Sequence, residues 1–149
     1  MLNLKERGLK TVKLTTSDDN KGLVKILEEE FAGSPHQRCM VHFERNLLSY
    51  VPAKEKKLLS RYLKTIYNCP DNEMALKIAN LISDKYRERY PKVSKLLDEN
   101  VEETLTFYSY LRHHHRKIRT TNLIEGTLNS MLKRCSKVVG IFLNKRLLY

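Results

Sequence analysis

Asp18 and Asp19 have the residue type and the setting for metal chemistry. They follow Thr11-Val-Lys-Leu-Thr-Thr16, an alternating run rich in β-branched residues that predicts a strand. Ligands gather at the carboxyl ends of strands in open α/β sheets, and a carboxylate there is a hard oxygen donor suited to Mg²⁺. Asp18, Asp19 and Asn20 also read as helix N-cap residues ahead of Leu23, Ile26, Leu27 and Phe31. Taken alone, capping is the commoner use of such a cluster. Glu125 is the second candidate. Helical spacing places it on one stripe with Asn122, Asn129 and Lys133, beside an apolar stripe of Ile124, Leu128, Met131 and Cys135. A carboxylate at the edge of an apolar face can point into a cleft, with Lys133 and Arg134 one or two turns on to hold phosphates. An exposed Glu paired with Lys or Arg is the bland alternative.

Cys39-Met-Val-His42 has a spacing compatible with zinc, but a structural zinc site needs four ligands, and no second CxxC or HxxxH follows at the usual distance. Packing and hydrogen bonding are the simpler use of Cys39 and His42. The run Arg112-His-His-His-Arg-Lys-Ile-Arg119 is dense in positive charge and suits a nucleic-acid backbone, where each cation displaces counterions. Its alternative is a solvated basic loop. Glycine-rich phosphate loops, GxSxG and HExxH are absent from the sequence, so nucleotide hydrolases, serine hydrolases and zincin proteases have no support.

The elements that must position these residues fall into two zones. A helix is expected over Leu2–Leu9, then the strand over Thr11–Thr16, a turn and a helix. Gly33-Ser34-Pro35 breaks the chain before a second short strand, His36–Val41, which runs into a helix over His42–Tyr50. From Pro52 the pattern is helical. Its stripes are Leu58, Leu59, Tyr62, Leu63 and Ile66; then Met74, Ile78, Ile82 and Tyr86; then Val93, Leu96, Leu97, Val101 and Leu105. The basic run interrupts this before the helix of Glu125. Two strands are too few for an independent sheet, so strand, helix, strand reads as the middle of a larger α/β sheet with something upstream missing.

The chain has 149 residues with a net charge of +11 from 28 Lys+Arg against 17 Asp+Glu, which favours a polyphosphate partner. Its hydrophobic fraction, 41%, suffices for a buried core. Apolar stretches are too short for a membrane span or a signal peptide, which sets a cytoplasmic, membrane-free expectation. Three scattered cysteines exclude a disulfide framework.

Five ordered motifs together resemble the mutator-type transposases of bacterial insertion sequences. They are Ser17-Asp-Asp-Asn-Lys-Gly-Leu23, Gln37-Arg-Cys-Met-Val-His-Phe-Glu-Arg-Asn46, Tyr90-Pro91, Arg119-Thr-Thr-Asn-Leu-Ile-Glu125 and Val138-Val-Gly-Ile-Phe142. The resemblance covers about Thr11 to Phe142. It implies a fold of the α/β class: a partial RNase H-like core with two strands retained, a large all-helical insertion, and a predominantly helical chain overall. The corresponding divisions are 1–50 for the core, 51–118 for the insertion and 119–149 for the final catalytic helix and truncated C-terminus.

The resemblance also implies an Asp-Asp-Glu triad holding two Mg²⁺ or Mn²⁺ ions, about 3.5–4 Å apart, for phosphoryl transfer at DNA ends. Asp18 falls on the second Asp and Glu125 on the Glu. Cys39 and His42 fall on a cysteine–histidine signature. Arg112, Arg116, Lys117, Arg119, Lys133 and Arg134 are the expected DNA contacts. Insertion-sequence ends and target DNA are the implied partners, with homo-oligomerisation of the complete enzyme. The first Asp of the triad has no counterpart, Asn20 stands where the family has His, Leu143 where it has Pro, and Gly126 follows Glu125. The expectation is a transposase chain lacking its first catalytic Asp and inactive by itself. The alternative is a non-catalytic fragment that binds DNA or another transposase.

Overall fold

The computed structural model describes the backbone of residues 6–139, and the side chains in that range except those of Leu123 and residues 135–139. Half of the helix expected over Leu2–Leu9 therefore lies outside the described residues, as do most of the Val138–Phe142 motif and Leu143.

The described chain is predominantly helical with one small sheet. Strand β1 is Thr15–Ser17, helix α1 is Lys21–Glu30 and strand β2 is His36–Arg38. Helices α2 (Met40–Ser49), α3 (Ala53–Ile66), α4 (Asn72–Arg87) and α5 (Pro91–Asn100) follow. Two 3₁₀ turns, Glu102–Thr104 and Thr106–Ser109, lead to α6 (Arg112–Ile118) and α7 (Asn122–Val139). The strands pair in parallel, Thr15 with His36, Thr16 with Gln37 and Ser17 with Arg38.

Both strands are shorter than expected from the sequence. Thr11–Leu14 has no ladder partner among the described residues, so β-propensity there has nothing to pair with. Met40 and Val41 join α2 instead of β2, because the helix buries Phe43 and Leu47 into the core and its first turn starts at Cys39.

A two-stranded sheet is marginal in water, and here the helical segment braces it. Gln37, fully buried, donates through Nε2 to the carbonyls of Arg38 (2.7 Å) and Thr104 (2.8 Å) and accepts from the Phe107 N–H at 2.8 Å. Thr106 Oγ1 donates to the His36 carbonyl at 2.8 Å. The outward polar groups of β2 are thus taken up by the 3₁₀ turns rather than by another strand.

The hydrophobic core lies in the helical segment, running from Phe43 and Leu47 through Leu59, Leu63 and Ile66 to Val93, Leu97, Leu105 and Phe107. The expected stripes of α3 and α5 supply it. On α4 the buried line is Ala75, Ala79, Ile82, Ser83 and Tyr86, rotated from the Met74–Ile78 line, and Met74 is exposed. Small residues allow α4 and α5 to approach closely. The Ser83 and Ser94 hydroxyls meet at 2.6 Å inside that interface, satisfying each other. The basic run forms a helix, α6, rather than a break. Its inner side is held by His115, whose ring packs edge-on against Phe107 and Tyr108 and whose Nε2 lies 2.7 Å from the Tyr110 carbonyl.

Candidate active site

Parallel pairing brings the carboxyl ends of β1 and β2 to the same side. Asp18 leaves β1 there and Cys39 leaves β2 there, with the Cys39 N–H donating to the Ser17 carbonyl at 2.7 Å. Three neighbouring polar residues divide their roles at this corner. Asn20 is the N-cap of α1, its Oδ1 accepting from the Leu23 N–H at 3.1 Å. Asp19 pairs with Arg38, Oδ2 to Nη2 at 2.7 Å. Asp18 does neither: among the described residues its carboxylate accepts no hydrogen bond, and it lines a recess with Arg38, His42 and Asn46.

Arg38 is the residue that sequence reasoning missed. It is 3% exposed, a placement rare for an arginine unless paired. Besides Asp19 it reaches Glu103 Oε2 (3.3 Å) and Asn100 Oδ1 (3.0 Å), and its guanidinium lies 5.1 Å from the Phe43 ring centre. It therefore ties the end of β2 to α5 and the following turn. No periodicity announces a buried cation. Two of its partners, Asn100 and Glu103, lie more than sixty residues away and come near only through the fold.

Glu125 reaches the same corner from the other end of the chain. The Met40 N–H donates to the Arg119 carbonyl at 3.1 Å, and Thr16 Oγ1 donates to the Ile118 carbonyl at 2.8 Å, docking the end of α6 against β1 and α2. From there α7 begins. Thr121 Oγ1 donates to Glu125 Oε1 at 2.6 Å, and His42 Nε2 stands 4.0 Å from the same oxygen. His42 faces both candidates: it lines the recess of Asp18 and neighbours Glu125. Its Nδ1 is buried without a partner among the described residues.

Cys39 is fully buried. Burial pushes its thiol up, but hydrogen bonds from the Thr120 and Thr121 hydroxyls and from the backbone of Thr121 and His42 outweigh this and bring it down to about 6. The Thr121 hydroxyl has one proton, and the short contact gives it to Glu125, so the thiol and the carboxylate compete for it. On the other side of β1, Ser17 Oγ and His36 Nε2 are 2.8 Å apart, and burial holds His36 below its ordinary value, with Glu103 opposing.

Asp18 and Glu125 are the hard oxygen donors that Mg²⁺ takes. Among the described residues, however, no three His, Cys, Asp or Glu side chains are grouped to hold a metal ion. The described residues by themselves do not fit a two-ion site. The zinc alternative gains nothing, since the Cys39 sulfur faces Thr120 and Thr121 while the His42 ring faces Glu125.

The expected DNA contacts separate into two groups. Arg112, Arg116, Lys117, Lys133 and Arg134 are exposed, and none pairs with a carboxylate among the described residues. Arg119 turns inward, its Nη1 donating to the Tyr67 carbonyl at 2.9 Å and its guanidinium 5.9 Å from the Phe107 ring centre. If the first group meets phosphates, replacing Arg112, Arg116 and Lys117 by Ala reduces the slope of log affinity against log salt by about 0.9 per lost contact. Arg119→Ala is expected to lower stability and leave that slope unchanged. Filter binding across a salt series, with urea melts, checks both.

Comparison with known proteins gives one consistent result. The family described as "Transposase, Mutator family" matches residues 1–148. The transposase for insertion sequence element ISRM5 of Rhizobium meliloti (strain 1021) is 38% identical over 97% of this chain and 36% of its own length. The transposase for IS256 in transposon Tn4001 of Staphylococcus aureus is 35% identical over 95% of this chain and 36% of its own length. That for IST2 of Acidithiobacillus ferrooxidans is 31% identical over 91% of this chain and 46% of its own length. The chain thus spans little more than a third of the length of the first two relatives.

Proposed function

The chain belongs to the Mutator family of transposases, and from that premise we propose that Asp18 and Glu125 are two members of a DDE triad for DNA cleavage and strand transfer at insertion-sequence ends. The observation that carries this reading is the position of His42. It lines the recess of Asp18 and stands 4.0 Å from Glu125, although 107 residues of sequence separate the two carboxylates. In this reading β1, α1 and β2 are part of an RNase H-like core, and α3 to α6 are its helical insertion. Parallel strands joined through a helix support the first assignment, and the helical core centred on Leu59, Leu63 and Leu97 supports the second.

Asp18 is the carboxylate left open to solvent at the strand end, while Asp19 neutralises Arg38 and keeps the strand end in place. Glu125 is aimed by Thr121. The exposed cations of α6 and α7 hold the DNA backbone near this corner. In the complete enzyme the ion is Mg²⁺ or Mn²⁺, and a third carboxylate completes its site. DNA ends and target are the partners, the complete enzyme acts as a homo-oligomer, and the cytoplasm is its compartment. No helix among the described residues is long and apolar enough to cross a membrane.

The 149-residue chain alone is expected to show no strand cleavage in Mg²⁺ or Mn²⁺, because two carboxylates do not hold two ions together. A nicking assay on end-labelled DNA tests this. Cleavage that disappears in both Asp18→Ala and Glu125→Ala would overturn the requirement for a third carboxylate. The second reading, a non-catalytic fragment that binds DNA or another transposase, draws on the lack of a three-member metal group among the described residues. It predicts binding at low salt with no effect of added Mg²⁺.

A further inference from the structure

Ile124, Leu128, Met131 and Leu132 on α7 are 65%, 54%, 59% and 60% exposed, so apolar burial does not set its position among the described residues. The corner before it is held by a set of hydrogen bonds. The Met40 N–H bonds the Arg119 carbonyl, and immediately beside that bond the Cys39 sulfur meets three polar groups. Those are the Thr121 N–H at 3.4 Å, Thr121 Oγ1 at 3.5 Å and Thr120 Oγ1 at 3.5 Å. Thr120 Oγ1 in turn accepts from the Asn122 N–H at 3.1 Å, which opens the helix. The Thr121 carbonyl accepts from the N–H groups of Ile124 and Glu125, at 3.0 and 3.1 Å.

We infer that Cys39 is a positioning residue for Glu125: its buried sulfur is the acceptor that holds the Thr120–Thr121 corner, and so fixes where α7 delivers its carboxylate beside His42.

The spacing of Cys39 and His42 acquires a physical meaning. Cys39 is the N-cap of α2 and His42 lies in its first turn, so the anchor and the imidazole both stand at the start of that helix. The sulfur holds the threonine corner, and the ring, one turn on, meets the carboxylate that the corner aims. Thr121 links the two halves through its N–H to the sulfur and its hydroxyl proton to Glu125. A sulfur suits the anchoring position because it is large and polarizable, and it accepts long hydrogen bonds from several donors at once. An oxygen would sit closer to Cβ and reach fewer of them. A buried acceptor that loses its partners, or donors that lose it, cost more than the bond contributes when made.

This role rests on the reading of Glu125 as catalytic, but its test does not use catalysis. The intact chain and its Cys39→Ser, Cys39→Ala and Thr121→Val variants are compared by amide hydrogen exchange with mass spectrometry, following peptides from the first turns of α7 and from α3. Cys39→Ala is expected to speed exchange at the start of α7 by roughly tenfold and to leave α3 unchanged. Cys39→Ser, no better than Ala at filling space but able to accept, is expected to recover part of that protection. Thr121→Val, which keeps the N–H bond and removes the hydroxyl, gives a smaller rise confined to α7. It serves where Cys39→Ala does not fold. Unchanged exchange at α7 in the folded variants would overturn the inference, as would a Ser variant no better protected than Ala. If the anchoring holds while Glu125→Gln leaves DNA cleavage intact, the catalytic reading falls and the anchor stands.

Discussion

Glu125→Gln, in an active full-length transposase containing this segment, is expected to slow strand cleavage by on the order of 10³-fold with DNA binding unchanged. The substitution keeps size and shape, and the amide oxygen still accepts the Thr121 hydroxyl that now meets Oε1 at 2.6 Å. The corner before α7 therefore survives. What disappears is one negative charge and, on the proposed reading, a ligand for a divalent ion that would neutralise charge developing on the phosphoryl group. Several kcal/mol of transition-state stabilisation go with that ligand. Asp18→Asn is expected to behave alike, because Asp18 lines the recess that His42 shares. Asp19→Asn is the informative contrast: it weakens the neutralisation of buried Arg38 and is expected to appear first as lost stability. Single-turnover cleavage with gel-shift binding separates these outcomes. A Glu125→Gln enzyme cutting within about tenfold of the parent would sink the assignment.

Phe107→Ala is expected to cost about 3–5 kcal/mol of stability, a large part of what a domain of this size has. The ring is fully buried, stacks on Tyr108 at 4.2 Å between centroids and receives the His115 ring edge-on at 5.0 Å. Its own N–H donates to Gln37, so the residue joins the sheet, the helical core and α6 at one point. Removal leaves a cavity that these neighbours cannot all collapse into, and it withdraws the surface against which Arg119 lies. The loss is therefore expected to reach α6 as well as the core, loosening the exposed cations Arg112, Arg116 and Lys117. Urea unfolding followed by circular dichroism gives the first effect. A loss under about 1 kcal/mol would show that the ring is not the junction described.

Much of the helical segment was legible from periodicity. Leu59, Leu63 and Ile66 on α3 and Val93 and Leu97 on α5 recur at helical spacing and are buried. On α4 the expected Ile82 and Tyr86 are buried and Ile78 packs against the core, while Met74 is exposed and the close approach to α5 adds Ala75, Ala79 and Ser83. The basic run, expected to interrupt the helical pattern, is itself a helix. It is helical because His115, polar by type, packs as an aromatic against Phe107 and Tyr108. In the same segment Arg119, grouped by charge with the DNA contacts, spends its guanidinium on the Tyr67 carbonyl.

The site divides along the same line. Residue order and local chemistry alone determined the family resemblance, the strand that ends at Asp18, the helix that carries Glu125 and the surplus of positive charge, because each is a property of neighbours in sequence. Which of Asp18 and Asp19 remains open was decided by the tertiary structure, through a buried arginine paired to Asp19. So was the meeting of His42 with Glu125, which depends on a sulfur and two threonines more than eighty residues apart. Such contacts are fixed by what packs where, and a buried hydrogen bond between distant residues leaves no periodic trace in the chain that makes it.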